Sequence, residues 1–213
     1  MGRVNTLGPA VRANWDDDRE SMRSPNFRAY VMAVDRVEKL LKRVTSALDA
    51  AGIKYAVIGG NAVAAWVARV DPGATRATKD VDLLVEQSEL ARIAQVMQGL
   101  GFMRDEILGV TLFVDPQEPS VRCGVHLVWA DQLVRPGYVC PAPSVDEAER
   151  DSQGFLVLDL PALVRMKLTS YRRIDQVHIE DLLRVGLMDE SVKSGLPAEL
   201  RQRLAEIEQS LDE

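Results

Sequence analysis

Between residues 27 and 51 apolar side chains return every three or four positions, at Val34, Val37, Leu41, Val44 and Leu48. That period predicts a helix with one buried stripe, and Gly52 suits its end. The pattern then changes. Tyr55, Ala56, Val57 and Ile58 form an unbroken apolar run, as expected of a strand over residues 54–58 that is covered on both faces. Gly59-Gly60 interrupts it, and an alanine-rich helix is expected over residues 61–70 with Asn61 where a cap belongs. Asp71-Pro72-Gly73 is a turn. Residues 79–85 alternate: Val81, Leu83 and Val85 point one way, Asp80, Asp82 and Leu84 the other, which predicts a second strand.

Downstream, Ser88 caps a helix reaching about residue 100, with Leu90, Ile93, Val96, Met97 and Leu100 on its apolar face. Residues 102–105 and 110–114 read as short strands about a turn at Leu108-Gly109. Over 121–129 the alternation returns. Val121, Cys123, Val125, Leu127 and Trp129 take one face, and Arg122, Gly124, His126 and Val128 take the other. Residues 131–154 are loop-like, with Pro136-Gly137, Pro141 and Pro143, and a short helix is expected at 145–150. A strand at 155–158 leads to Asp159 as N-cap and Pro161 in the first turn of a helix through Leu163, Val164, Lys167, Leu168 and Tyr171. A further helix closes near Gly186, and a last one starts at Pro197 with Leu200, Leu204, Ile207 and Leu211 as its stripe.

The elements together predict an α/β (α+β) fold, a mixed sheet with helices. The expected divisions are a polar extension at 1–26, a core at 27–145 and a mainly helical C-terminal subdomain at 146–213. In the extension, Asp16-Asp17-Asp18 reads as a solvated charge run, and Trp15 as the side chain that pins the segment to the body. A chain of 213 residues is ample for one core with an appended subdomain. Its formal net charge of −6 argues against a strong non-specific nucleic-acid binder, while leaving room for a local basic patch. Two cysteines, Cys123 and Cys140, make no disulfide framework. No apolar run approaches a membrane span and the N-terminus lacks a signal-peptide core, so a cytoplasmic location is the expectation.

Chemistry concentrates in residues 55–85. A glycine pair between strand and helix leaves backbone amides uncovered at a helix N-terminus, which is an anion site. On its own such a turn is as ordinary as any tight connection. Asp80 and Asp82 change that. Two carboxylates at i and i+2 of a strand lie ~6–7 Å apart at Cα on one face, and their oxygens can converge on a hard divalent cation. The basic, polar loop Arg76-Ala77-Thr78-Lys79 lies just before them, as phosphates bridging cation and cationic side chains would require.

This arrangement, Gly59-Gly60-Asn61-Ala62 followed by Arg76-Ala77-Thr78-Lys79-Asp80-Val81-Asp82, resembles the nucleotidyltransferase (DNA polymerase β-like) superfamily. In form it looks most like AbiEii-type toxins of type IV toxin–antitoxin systems and the small antibiotic nucleotidyltransferases. The resemblance implies transfer of a nucleoside monophosphate from an NTP to a hydroxyl on a tRNA end, a protein or a small molecule. Asp80 and Asp82 would hold Mg²⁺ or Mn²⁺. Gly59, Gly60, Asn61, Arg76 and Thr78 would hold the nucleotide, and an antitoxin is an implied partner. Weaker likeness in the C-terminal helices places Lys167 at the phosphates, has Asp175 and Asp181 brace the helix pair, and makes Arg173 a neighbour.

One departure matters. In that superfamily a later strand carries a third carboxylate, which activates the acceptor hydroxyl and can share a metal. Here that strand offers Gly124 and His126. His126 is one replacement: imidazole is a competent base near neutral pH and can ligate Mn²⁺, though it suits Mg²⁺ poorly. Asp131 and Asp115, on either side of the strand, are others. The remaining reading is a nucleotide-binding or interaction module without turnover.

Overall fold

The computed structural model describes residues 27–116 and 123–212. The expectations for the extension at 1–26, including Trp15 and the triple aspartate, and for Val121 and Arg122, lie outside the described residues. The chain begins with α1 (Phe27–Ala50) and continues through β1 (Tyr55–Ile58), α2 (Gly59–Ala68), β2 (Val81–Val85), α3 (Leu90–Gly99), β3 (Met103–Ile107), β4 (Val110–Val114) and β5 (Val125–Trp129). It ends with β6 (Ala148–Arg150), β7 (Leu156–Leu158), α4 (Leu160–Ser170), α5 (Arg173–Arg184), α6 (Glu190–Ser194) and α7 (Ala198–Asp212).

The seven strands form one mixed sheet in the order β3-β4-β5-β2-β1-β7-β6. At its centre β2 pairs antiparallel with β1 and parallel with β5. Every residue of β1 is buried, as its unbroken apolar run requires. On α1 the stripe is buried from Val37 through Leu41, Val44 and Leu48, and α1 packs on α3 and β2. Val34, expected in the same stripe, stays 37% exposed, with Val31 and Met32 exposed beside it. Helices α4, α5 and α7 pack together, and α2 joins them to β1 and β2.

Two local expectations changed. The short helix expected at 145–150 is a single 3₁₀ turn, Val145–Glu147, capped by Ser144, after which Ala148–Arg150 pairs antiparallel with β7. Three residues carry too little periodicity to distinguish strand from helix, and the pairing partner decides. The sheet therefore runs past residue 145, because β7 pairs parallel with β1 and only the chain from Leu160 onward is purely helical. The helix expected at 61–70 starts two residues earlier, on Gly59. Asp159 caps α4 as expected, accepting from the Ala162 amide at 2.8 Å. Among the described residues no helix is long and apolar enough to cross a membrane.

Candidate active site

The parallel register of β2 on β5 sets Asp82 directly beside His126. Paired residues of neighbouring strands project to the same face, so the imidazole and the carboxylate meet. His126 Nδ1 lies 3.3 Å from Asp82 Oδ1 and 3.6 Å from Asp80 Oδ2. One ligand atom from each of the three side chains falls within 4.8 Å of the others. The side chains are part-exposed, at 35% for Asp80, 28% for Asp82 and 20% for His126, which leaves the cluster open to a ligand. Thr78 Oγ1 donates to Asp80 Oδ1 at 3.1 Å and so orients it. Burial, and then the neighbouring Asp82 charge, raise the Asp80 carboxyl above its ordinary value, with Thr78 and His126 opposing.

The alternatives to His126 lie elsewhere. Asp131 follows the far end of β5, where Trp129 pairs with Val85, five residues beyond His126 or ~16 Å along a strand. Asp115 lines a groove with Arg36, Lys39 and Arg43 of α1.

The glycine pair is explained by its neighbours. Gly59 has φ +68, a left-handed conformation that L side chains rarely adopt, and a Cβ there would lie 2.0 Å from Asp82 Oδ2. The Asp82 carboxylate thus packs against the first turn of α2. At Gly60 a Cβ would come within 3.2 Å of the Thr78 side chain. The N-cap residue of α2, Ile58, makes no side-chain cap bond to the first amides, which as in any helix have no intrahelical partner. Asn61 turns inward instead, donating from Nδ2 to the Asp80 carbonyl at 2.7 Å, which ties α2 to the start of β2.

The cationic candidates are held by carboxylates of α5. Arg76 makes a two-pronged contact with Asp181, at 2.6 and 3.0 Å. Lys167 is buried, with Nζ 3.1 Å from Asp175 Oδ1. Asp175 also accepts from Ser170 and from the Arg172 guanidinium, each at 2.7 Å. Burial would raise the Asp175 carboxyl, but Arg172, Lys167 and Ser170 outweigh it and hold it at about 2. Asp175 therefore braces α4 against α5, as the resemblance implied. Asp181 braces the Arg76 loop rather than the helix pair.

His178, which the sequence favours as a structural residue like Arg173 and Asp175, lies on α5 facing Gly60. It is buried, its Nδ1 has no hydrogen-bond partner among the described residues, and its Cε1 would lie 3.9 Å from a Cβ on Gly60. Burial, and then the Lys167 charge, pull its pKa down to about 4.

Comparison with solved structures finds this fold among nucleotidyltransferases. The chain is similar to the antibiotic-resistance factor ANT(2″)-Ia, with 18% identity and a TM-score of 0.52, over 84% of this chain and 96% of that one. It is also similar to an antigenic nucleotidyltransferase-like protein from Paracoccidioides brasiliensis (15%, 0.53; 84% and 89%). The Megavirus polyadenylate synthase matches at 10% and 0.52, over 88% of this chain but 41% of that one. No protein-family model and no curated protein sequence matches the chain.

Proposed function

We propose that the protein is a metal-dependent nucleotidyltransferase that moves a nucleoside monophosphate from an NTP to a hydroxyl acceptor. The observation that carries this reading is the convergence of Asp80, Asp82 and His126 beside the uncapped first turn of α2. The donor set suits a divalent cation: ligands of one ion at ~2.1 Å lie ~3 Å apart when adjacent, close to the spacings between His126 and the two carboxylates. Such an ion supplies electrostatic stabilisation of the charge that develops on phosphoryl oxygens.

The chain's own groups do the rest. Amides of Gly59 and Gly60 receive the triphosphate, an anion at a helix N-terminus. Thr78 fixes the Asp80 carboxylate, and Asn61 holds the backbone that carries it. Arg76 and Lys167 add positive potential while Asp181 and Asp175 fix their positions. The acceptor oxygen attacks the α-phosphorus in line, the bond to the β-phosphate oxygen breaks, pyrophosphate leaves and the hydroxyl proton passes to solvent. A tRNA end, a protein side chain or a small hydroxylated molecule fits the acceptor role. An AbiEii-type toxin acting in the cytoplasm beside an antitoxin is the biological setting we propose.

The test is incubation with α-labelled NTPs, candidate acceptors and Mg²⁺ or Mn²⁺, alongside Asp80→Ala. Label transfer lost in the variant supports the reading; equal transfer by both proteins removes the role given to Asp80. His126 in the place of a third acid favours one second reading, a nucleotide-binding module without turnover. Calorimetric NTP binding with no transfer under any condition would select it.

A further inference from the structure

The donor atoms at the site are two carboxylate oxygens and one imidazole nitrogen, and this mixture carries consequences that a three-carboxylate site would not. We infer that His126 is a metal ligand through Nδ1, and that it sets the site's preference for a first-row transition dication, Mn²⁺ being the working example, over Mg²⁺. The inference rests on reading Asp80 and Asp82 as cation ligands, but not on any particular acceptor or on turnover.

Three observations support it. First, Nδ1 points at both carboxylates, 3.3 Å from one and 3.6 Å from the other. A general base would have to present its lone pair to an acceptor hydroxyl; a nitrogen aimed between two acids is placed to share whatever they bind. Second, the position is fixed by the sheet. His126 pairs with Asp82 at the second position of a five-residue parallel ladder running from Val81 and Val125 to Val85 and Trp129, with buried Val125 and Leu127 on either side. A side chain so anchored swings away only at the cost of its neighbours' packing. Third, among the described residues no other carboxylate joins Asp80 and Asp82 in the cluster: Asp131 lies beyond the other end of β5 and Asp115 lines the groove beneath α1.

The chemistry then decides between cations. Mg²⁺ is small and hard, demands near-ideal octahedral oxygen coordination and releases water reluctantly, so a nitrogen in its shell gains little. Affinity for nitrogen-containing sites rises from Mn²⁺ across the first-row series, and imidazole is a good ligand there. Mn²⁺ also keeps the six-coordinate habit and the oxygen affinity that two carboxylates and a triphosphate require. Replacing the nitrogen by an oxygen should therefore narrow the difference between the two ions, and replacing it by a poor ligand should weaken Mn²⁺ far more than Mg²⁺.

Mn²⁺ binding is read by electron paramagnetic resonance, as loss of the free-ion signal, and Mg²⁺ by its competition with bound Mn²⁺, without nucleotide. The full-length protein is compared with His126→Asn, which keeps a hydrogen-bond donor toward Asp82, and with His126→Asp. Circular dichroism confirms the fold of each variant, and the asparagine form keeps the test informative where a third acid prevents folding. In the parent protein Mn²⁺ should bind at least ~10-fold tighter than Mg²⁺, and His126→Asn should lose ~10–100-fold in Mn²⁺ affinity with little change for Mg²⁺. His126→Asp should bring the two ions toward parity. Equal affinities in the parent protein, or a preference unchanged in the folded asparagine variant, overturn the inference. Selective Mn²⁺ binding without nucleotide transfer would leave it standing and remove the transferase reading. Transfer supported equally by Mg²⁺ and Mn²⁺, with no effect of either variant on binding, would do the reverse.

Discussion

Two regions of the molecule collect charge, and they treat it in opposite ways. Between α4 and α5, Asp175 is buried and accepts hydrogen bonds from Lys167, Ser170 and Arg172. At the junction of β2 and β5, Asp80 and Asp82 are part-exposed and face each other across an imidazole, with Thr78 donating to an Asp80 oxygen. The first cluster is complete in itself. The second holds two acids whose mutual repulsion folding has not relieved. Charges that serve the fold arrive with their counter-charges, and those left facing one another wait for a ligand that carries the balance.

Removing one charge from each cluster should therefore have opposite consequences. Asp175→Ala leaves Lys167 buried without its counter-ion and should cost about 3–5 kcal/mol in urea unfolding. Asp80→Asn relieves repulsion at a site open to solvent. It should leave stability unchanged or raise it by about 0.5 kcal/mol once screening is allowed for, while abolishing stabilisation by added Mn²⁺. A loss of several kcal/mol at Asp80 would break the contrast.

The next effect is a pH dependence. His178 is neutral in the fold because its pKa is depressed to about 4 from an ordinary 6.5. Between those values the unfolded chain binds a proton that the folded chain refuses, so stability is full above the upper value and falls on acidification. The loss should approach about 3 kcal/mol by the lower value, as an upper bound. The groups facing this imidazole, namely Lys167, Arg172, Asp175 and Asp181, are common to the parent protein and His178→Gln, so the difference between the two isolates it. Parallel unfolding curves of the two proteins from pH 7 to 4 would remove the effect.

The smallest expected change is at the bend. Gly59→Ala combines a left-handed backbone with a Cβ on top of the Asp82 carboxylate and should cost about 1–3 kcal/mol. Because the strain falls on Asp82, cation binding should weaken by more than the stability loss alone predicts. A variant that is less stable but binds Mn²⁺ normally would show that Asp82 has room to retreat.

Much of this was legible in the chain itself. The 55–85 stretch announced a buried strand, a glycine bend and paired acids because each depends on local periodicity and on backbone freedom, which neighbouring residues determine. His126 was visible as one of several replacements for a missing acid. It ranked ahead of Asp131 and Asp115 on its place in the strand, but its position directly beside Asp82 required the register of β2 on β5, which no local pattern encodes. The same holds for β6, whose three residues become a strand only because β7 is beside them. Arg76 and Lys167 read as phosphate ligands in sequence, and their pairing with Asp181 and Asp175 needed a helix folded back against them. His178 read as a structural residue of its helix, and its unpartnered ring nitrogen stayed hidden because that is a property of burial, not of sequence.

The pairing of β2 with β5 has a last implication, for how the site comes into being. Asp82 and His126 are 44 positions apart, and a helix and a hairpin must fit between them before the ladder closes. Contacts of such separation form late and slowly compared with helical turns. A nascent or partly folded chain would thus carry its phosphate-binding bend, built from consecutive residues, before its cation-binding trio, and would acquire the ability to hold a metal only as the middle of the sheet zips shut.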